Sequence, residues 1–222
     1  MPTGLIIGAS RGIGQEAVRQ LIAANWTVFA TARDDAALAS LQAQGAKAFK
    51  LDVGNPESLA GLGWQLDGEK FDLAIYVAGV FGPRSDAKTP PTAQDFDQVM
   101  HTNVLGAMQA IPIVAPMVEA AQGKFAFISS IMGSVDDASS SYGWLYRASK
   151  AALNMAVKSA VSDYPKATFA LLHPGWVRTD MGGENAAIDV GQSVSGLLQV
   201  IAGLRSADTG TYRDYTGKKL AW

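Results

Sequence analysis

Leu5-Ile6-Ile7-Gly8-Ala9-Ser10-Arg11-Gly12-Ile13-Gly14 stands near the start of the chain, and its reading governs everything after it. Three apolar residues make a short strand, and three glycines follow at the spacing G-x-x-x-G-x-G. A tight strand-to-helix turn needs glycine, because a β-carbon would strain the turn and hold a phosphate away from the backbone. A helix starting near Ile13 would offer free N–H groups and its positive dipole end to a pyrophosphate. An ordinary βα turn with glycines for packing reads the same way, and the spacing is not the more common G-x-G-x-x-G. Its place between the first strand and the first helix is nevertheless the context a nucleotide-binding turn requires.

Outward from that turn the β–α alternation continues to the end of the chain. Apolar runs at 5–7, 27–31, 46–51, 73–77, 124–129, 168–172 and 210–215 read as strands. Most are unbroken rather than alternating, the pattern of strands covered on both faces. Between them, helical stripes run through Ile13, Ala17, Leu21 and Ala24, and through Ala36, Leu38, Leu41 and Ala43. Further helices fit 57–66, 94–118, 144–163 and 190–204. Repeated units of this kind predict an α/β fold: a doubly wound, mostly parallel sheet of about seven strands with helices on both faces. No linker or repeat divides residues 1–222, so one domain is expected. The Gly-, Pro- and Ser-rich loops at 82–92 and 136–143 belong at the carboxyl edge of the sheet, where such folds bind ligands.

Composition narrows the function classes. Charged residues make up 17% of the chain and the net charge is −2, so nothing advertises nucleic acid. With no cysteine and two histidines, His101 and His173, no metal site is expected. The N-terminus carries no basic leader, and the apolar stretch at 110–118 is interrupted by Pro112 and Pro116, so the expectation is a cytoplasmic protein without a membrane span.

Chemistry-bearing residues cluster after strands. Tyr146 and Lys150 are four apart in a helical pattern and share a face. An ammonium beside a phenol favours the phenolate and lowers its pKa from about 10, which makes a tunable acid/base. A half-buried amphipathic tyrosine would leave the same trace. Ser129 and Ser130 end the fifth strand and point to opposite faces, so at most one can polarise a carbonyl oxygen beside the phenol. Asn103, a mediocre helix former inside the fourth long helix, either bonds its own backbone or holds a water that passes a proton to Lys150. Arg33 follows the second strand where a ribose-binding acid would stand for NAD, with Asp34 one step later as a ribose ligand or a helix cap. Asp52 either reaches an adenine amine or caps its turn. His101 faces away from Asn103, and both histidines read as structural.

Together these residues resemble the short-chain dehydrogenase/reductase family over essentially the whole chain. The turn at 8–14, Ala78-Gly79, Asn103, Ser130, Tyr146/Lys150 and Pro174-Gly175 fall in the family's order. The run at 174–183 and the closing Asp214-Tyr215-Thr216-Gly217 with Trp222 resemble its C-factor and sniffer-type carbonyl reductase branch. The resemblance implies a catalytic tetrad of Asn103, Ser130, Tyr146 and Lys150. It also implies a cofactor site made by Gly8, Ser10, Arg11, Ile13, Arg33, Asp52, Val53, Ala78, Gly79, Tyr146, Lys150, Pro174, Gly175, Val177 and Thr179. Arg33 and Arg11 favour NADP(H) over NAD(H), since an Arg fork suits a 2′-phosphate that a carboxylate would repel. Two departures stand out: the family's usual Asn-Asn-Ala-Gly reads Tyr76-Val77-Ala78-Gly79, and the interval from Ser130 to Tyr146, with Ser139-Ser140-Ser141 inside it, is longer than usual.

The implied function is hydride transfer between NADP(H) and a small-molecule carbonyl or alcohol, with a homodimer as the oligomeric form to test. Phe81, Met132, Tyr142, Trp144, Trp176 and Met181 suggest an apolar pocket for ketones and aldehydes. The alternative is a regulatory or signalling protein that binds NADP(H) with little turnover. A hydrolase on a doubly wound sheet is the least favoured reading.

Overall fold

From Gly4 onward every residue of β1 (Thr3–Ile7) is buried, and β2 (Thr27–Ala32) is buried from Val28. Neither strand has a polar face for water, so both must be covered on two sides. The computed structural model describes residues 1–222 and supplies those covers. Five more strands complete the sheet: β3 (Lys47–Lys50), β4 (Leu73–Tyr76), β5 (Lys124–Ile128), β6 (Thr168–His173) and β7 (Thr211–Asp214). All neighbours are parallel, in the order β3-β2-β1-β4-β5-β6-β7. The order reverses between β1 and β4, and the crevice beyond their carboxyl ends is where such sheets bind ligands.

Strand alternation sorts the core into two layers. One face carries Leu5, Ile7, Phe29, Tyr76, Phe125, Phe127 and Phe169 and is covered by α3 (Pro56–Ala60), α4 (Leu62–Gln65), α6 (Gly106–Ala120) and α7 (Trp144–Ala160). The other carries Ile6, Val28, Ala30, Ala126 and Leu172 and is covered by α1 (Gly12–Ala23), α2 (Asp35–Ala43) and α8 (Val190–Gly203). Large rings fill the first layer. Small and branched residues let helices approach the second more closely.

Among the differences from the sequence expectation, three have a clear local reason. The helix expected at 57–66 is two short pieces that meet at Gly61, where helix propensity is poor. The strand expected from 210 begins at Thr211, because Gly210 has φ +70°. The long helix at 94–118 is α5 (Ala93–Met100), a wider π turn at His101–Leu105, and α6. Pro112 and Pro116 lie inside α6 without ending it, since Ala110, Ile111, Val114, Ala115 and Val118 hold the helix on the sheet. That packing offsets a cost of about 3 kcal/mol or more for an interior proline. The continuous stretch Ala93–Ala120 is long and apolar enough to cross a bilayer, yet half of its apolar window is buried in this core.

His173 ends β6 opposite Asp214, its ring mostly buried and its Nδ1 without a partner. Burial drives the imidazole down to about 4, against a smaller opposing pull from Asp214. The unfolded chain then binds more protons between pH about 4 and about 6.5, so stability rises with pH across that window and is lost on acidification. We expect up to about 3 kcal/mol from this residue. Urea titrations of wild type and His173→Gln at several pH values should show a shallower slope in the variant. Superimposable slopes would refute the assignment.

Candidate active site

The turn after β1 is built around two close approaches. Gly8 has φ +91°, and a Cβ there would meet Ala78 backbone at 2.7 Å. A Cβ on Gly14 would lie 2.2 Å from Gly8 O, so α1 can begin only over a glycine. The α1 N-terminus has no side-chain cap and no acidic residue in its first turn. Its N–H groups therefore stay available to an anion. Gly8, Ser10, Gly12 and Ile13 line one end of a groove of about 410 Å³ that runs along the carboxyl edge of β1, β2 and β4.

The same groove takes in Arg33, Asp52, Val53, Ala78, Gly79, Pro174 and Thr179. Arg33 extends into solvent from the end of β2, its backbone N–H 3.4 Å from Ser10 Oγ. Asp34 accepts from Ala37 N at 2.8 Å and caps α2, and no carboxylate lies within 4.0 Å of Arg33. Asp52 accepts from Gly54 N at 3.0 Å while still lining the groove. Arg11 differs from expectation: it pairs with Asp180 at 2.8 Å instead of standing free beside Arg33. Both partners are about 70% exposed, so the pair is weak and its charge is shared. Arg178, which sequence reading passed over, lines the groove without a carboxylate partner. Gly175 and Val177 sit behind the groove rather than in it. Gly175 has φ +84° and packs on Tyr215 and Ile188, and Val177 bridges to Ile188.

At the inner end Tyr146 and Lys150 come together on α7, both buried. Lys150 Nζ donates to Ile128 O at 2.9 Å and stands 5.7 Å from the Tyr146 ring centre. Burial pushes the phenol up to about 12, and the Ser130 hydroxyl pulls part of the way back. Burial also pushes the ammonium down to about 8. The phenol is therefore raised rather than lowered as expected, because burial penalises the phenolate and the opposing pull comes from the Ser130 hydroxyl. Tyr146 holds its proton at neutral pH.

Ser129 and Ser130 split as strand alternation requires. Ser129 Oγ donates to Asn154 Oδ1 at 2.6 Å although the residue still lines the groove, and Ser130 Oγ lies at the Tyr146 phenol, outside the groove lining, and accepts from Met132 N at 3.2 Å. The Tyr212 phenol donates to Ser130 O, and Trp222 lies against Tyr212 with its main-chain oxygen taking Val135 N at 2.9 Å. Asn103 sits in the π turn, fully buried. Its amide clamps both backbone groups of Val80 at 2.8 Å and donates to Ser149 Oγ at 2.9 Å. Both amide hydrogens are committed, so on the side chain a relay water would find only the second lone pair of Oδ1, leaving the Asn103 main-chain carbonyl as the other acceptor. Tyr76, standing where the family has Asn, donates to Thr102 O at 3.2 Å and so braces the same turn.

Phe81 stacks on Tyr146 with centroids 4.6 Å apart and touches Tyr142 at 6.0 Å. A Cβ on Gly143 would meet Phe81 at 2.8 Å and Met132 at 3.1 Å, which places these side chains together. Met181 lines the groove, and Trp144 flanks Tyr142 in the chain with a buried, unpartnered Nε1. Trp176 is 57% exposed and turns to Gly182 O, outside this cluster.

A capless helix start, a glycine cradle that any Cβ would fill, and two unpaired arginines fit the phosphates of a dinucleotide. The sequence pattern of the short chain dehydrogenase family matches residues 3–188. The chain is 39% identical over 157 residues to the C-signal of Myxococcus xanthus, covering 68% of this chain and 92% of that one. Carbonyl reductase Sniffer of D. melanogaster superposes with TM-score 0.92 at 29% identity over all of both chains. An NADPH-bound carbonyl reductase from chicken fatty liver superposes with TM-score 0.89 at 31% identity, over 100% of this chain and 99% of that one. With the pattern spanning β1 to the bridge at Ile188, this chain belongs to the short chain dehydrogenase family.

Proposed function

We propose that this NADP(H)-dependent oxidoreductase reduces apolar ketones or aldehydes, with Tyr146 as the proton donor. One observation carries the reading: a buried phenol that keeps its proton, flanked by Ser130 and Lys150, at the inner end of a groove whose other end is a capless helix start. Structural relatives solved with NADP or NADPH, several of them carbonyl reductases, support the cofactor.

When bound, NADPH supplies the hydride. Tyr146 gives its proton to the carbonyl oxygen, and Ser130 Oγ steadies the charge that develops there. A phenol at about 12 still donates readily to an alkoxide, and reduction needs no prior loss of its proton. Lys150 would hold the ribose hydroxyls of the nicotinamide half when the cofactor binds, and its ammonium would return a proton to the phenolate left on Tyr146. Asn103 keeps Val80 and Ser149 in place, and with them the floor under Lys150. The reverse oxidation would use the same groups with Tyr146 as base, after a costlier ionisation.

Phe81, Met132 and Tyr142 give the substrate end an apolar wall. Aromatic or alkyl ketones and aldehydes are expected to exceed sugars and 2-keto acids, whose carboxylate sits on the carbonyl carbon itself, in kcat/KM by about tenfold or more, the scale of a hydrophobic pocket's discrimination. A panel followed by NADPH absorbance measures this, and a clear preference for sugars or 2-keto acids would overturn it. Similarity to the C-signal favours a second reading, a signalling protein that binds NADP(H) with little turnover. Cofactor binding without oxidation by any carbonyl would decide for it.

A further inference from the structure

The chain has eight arginines, and they differ in whether their charge is paired. Arg11, Arg19, Arg205 and Arg213 each hold a carboxylate within 4.0 Å, and the other four hold none. Two of those, Arg33 and Arg178, line the groove that fits the cofactor phosphates. The remaining two, Arg84 and Arg147, converge on one residue at the opposite end. Arg84 Nη1 donates to Tyr142 Oη at 3.3 Å, and Arg147 Nε donates to Tyr142 O at 3.1 Å.

Both are fixed in place. Arg84 Nη2 donates to Met181 O at 2.9 Å, and its guanidinium lies 5.1 Å from the Phe81 ring centre. Phe81 in turn stacks on Tyr146, so the positive charge stands one aromatic layer beyond the proton donor. Beside them Ser85 Oγ and Trp144 Nε1 are buried without partners. Tyr142 Oη, Tyr142 O and Met181 O satisfy hydrogen bonds but neutralise no charge. A planar guanidinium with open donors matches a carboxylate in both geometry and sign.

We propose that Arg84 and Arg147 form the anion-binding end of the substrate site. The preferred substrate is then an aldehyde or ketone with an apolar body and a carboxylate at its far end, away from the carbonyl carbon. The inference rests on Tyr146 as the reacting end of the pocket. Reduction converts the C=O to CH–OH, with hydride from NADPH reaching carbon and the Tyr146 proton reaching oxygen. The distal carboxylate is unchanged throughout, so its contacts serve to bind and orient.

The test compares para-formylbenzoate with its uncharged methyl ester, which keeps the ring and an electron-withdrawing group. Wild type should favour the acid about tenfold in kcat/KM, expressed in KM and shrinking with added salt. Arg84→Gln and Arg147→Gln keep donors but remove charge, and should bring the ratio towards one. Arg84→Glu should take it below one. An arginine that only latches the Phe81 and Met181 loops together would leave the ratio unchanged in Arg84→Gln, and that result overturns the proposal. Equal kcat/KM for acid and ester in wild type overturns it as well, while leaving carbonyl reduction standing. Failure of wild type to reduce any carbonyl would instead remove the reductase reading, and this inference with it.

Discussion

Replacing Tyr146 with phenylalanine is expected to lower turnover by about 10²–10⁴-fold, the usual contribution of a positioned acid, while NADPH affinity changes little. The substitution removes one buried hydroxyl and leaves the ring stacked on Phe81, so a fall in activity cannot be put down to lost packing. Lys150→Ala should damage both turnover and NADPH binding, because the same ammonium faces the phenol and the ribose site. Its position near pH 8 adds a signature. The group is charged below about 8 and loses that charge as pH rises through it, so NADPH affinity should weaken on the alkaline side. Steady-state kinetics with a fluorescence measurement of NADPH affinity separate the two variants. A Tyr146→Phe protein that keeps most of its activity would remove the proposed proton donor.

Cofactor choice carries the second large effect. NADP differs from NAD by a 2′-phosphate, and Arg33 stands after β2 with its charge uncompensated, since Asp34 is spent on capping α2. One charge-assisted phosphate contact contributes about 1.5–3 kcal/mol, roughly ten- to a hundredfold in affinity. Arg33 is exposed and Arg11 is shared with Asp180, so the lower part of that range applies. NADPH should bind about tenfold tighter than NADH, and Arg33→Ala should erase most of the difference. Opening the neighbouring ion pair with Asp180→Asn should strengthen NADPH binding modestly by freeing Arg11. Equal dissociation constants for NADPH and NADH in the unmodified protein would contradict the assignment.

Much of this arrangement is written locally. Unbroken apolar strands announce a sheet covered on both faces, and the glycines at 8, 12 and 14 announce a turn that brings backbone close to a ligand. Tyr146 and Lys150 face together because four residues make about one helical turn. What sequence hides is what tertiary contact decides. The partner of Arg11 is 169 residues away, and no local pattern predicts that pairing. The direction of the Tyr146 shift depends on how completely water is excluded, which spacing does not encode. The π turn at His101–Leu105 looks like ordinary helix in sequence, yet it carries the buried amide that clamps Val80. Arg178 lies between Val177 and Thr179 in the run expected at the cofactor, but only the folded loop shows its side chain entering the groove. Arg84 and Arg147 meet only because the loop after β4 folds over the start of α7.

Tracing the hydride itself tests the central claim most directly. The protein is incubated with NADPH carrying deuterium at both nicotinamide C4 positions and an aromatic aldehyde, and the alcohol is examined by mass spectrometry and NMR. The structure predicts one deuterium on the former carbonyl carbon, the hydroxyl hydrogen drawn from solvent through Tyr146, and loss of product formation in Tyr146→Phe. NADPH that binds tightly yet leaves every carbonyl unreduced and unlabelled would contradict the account.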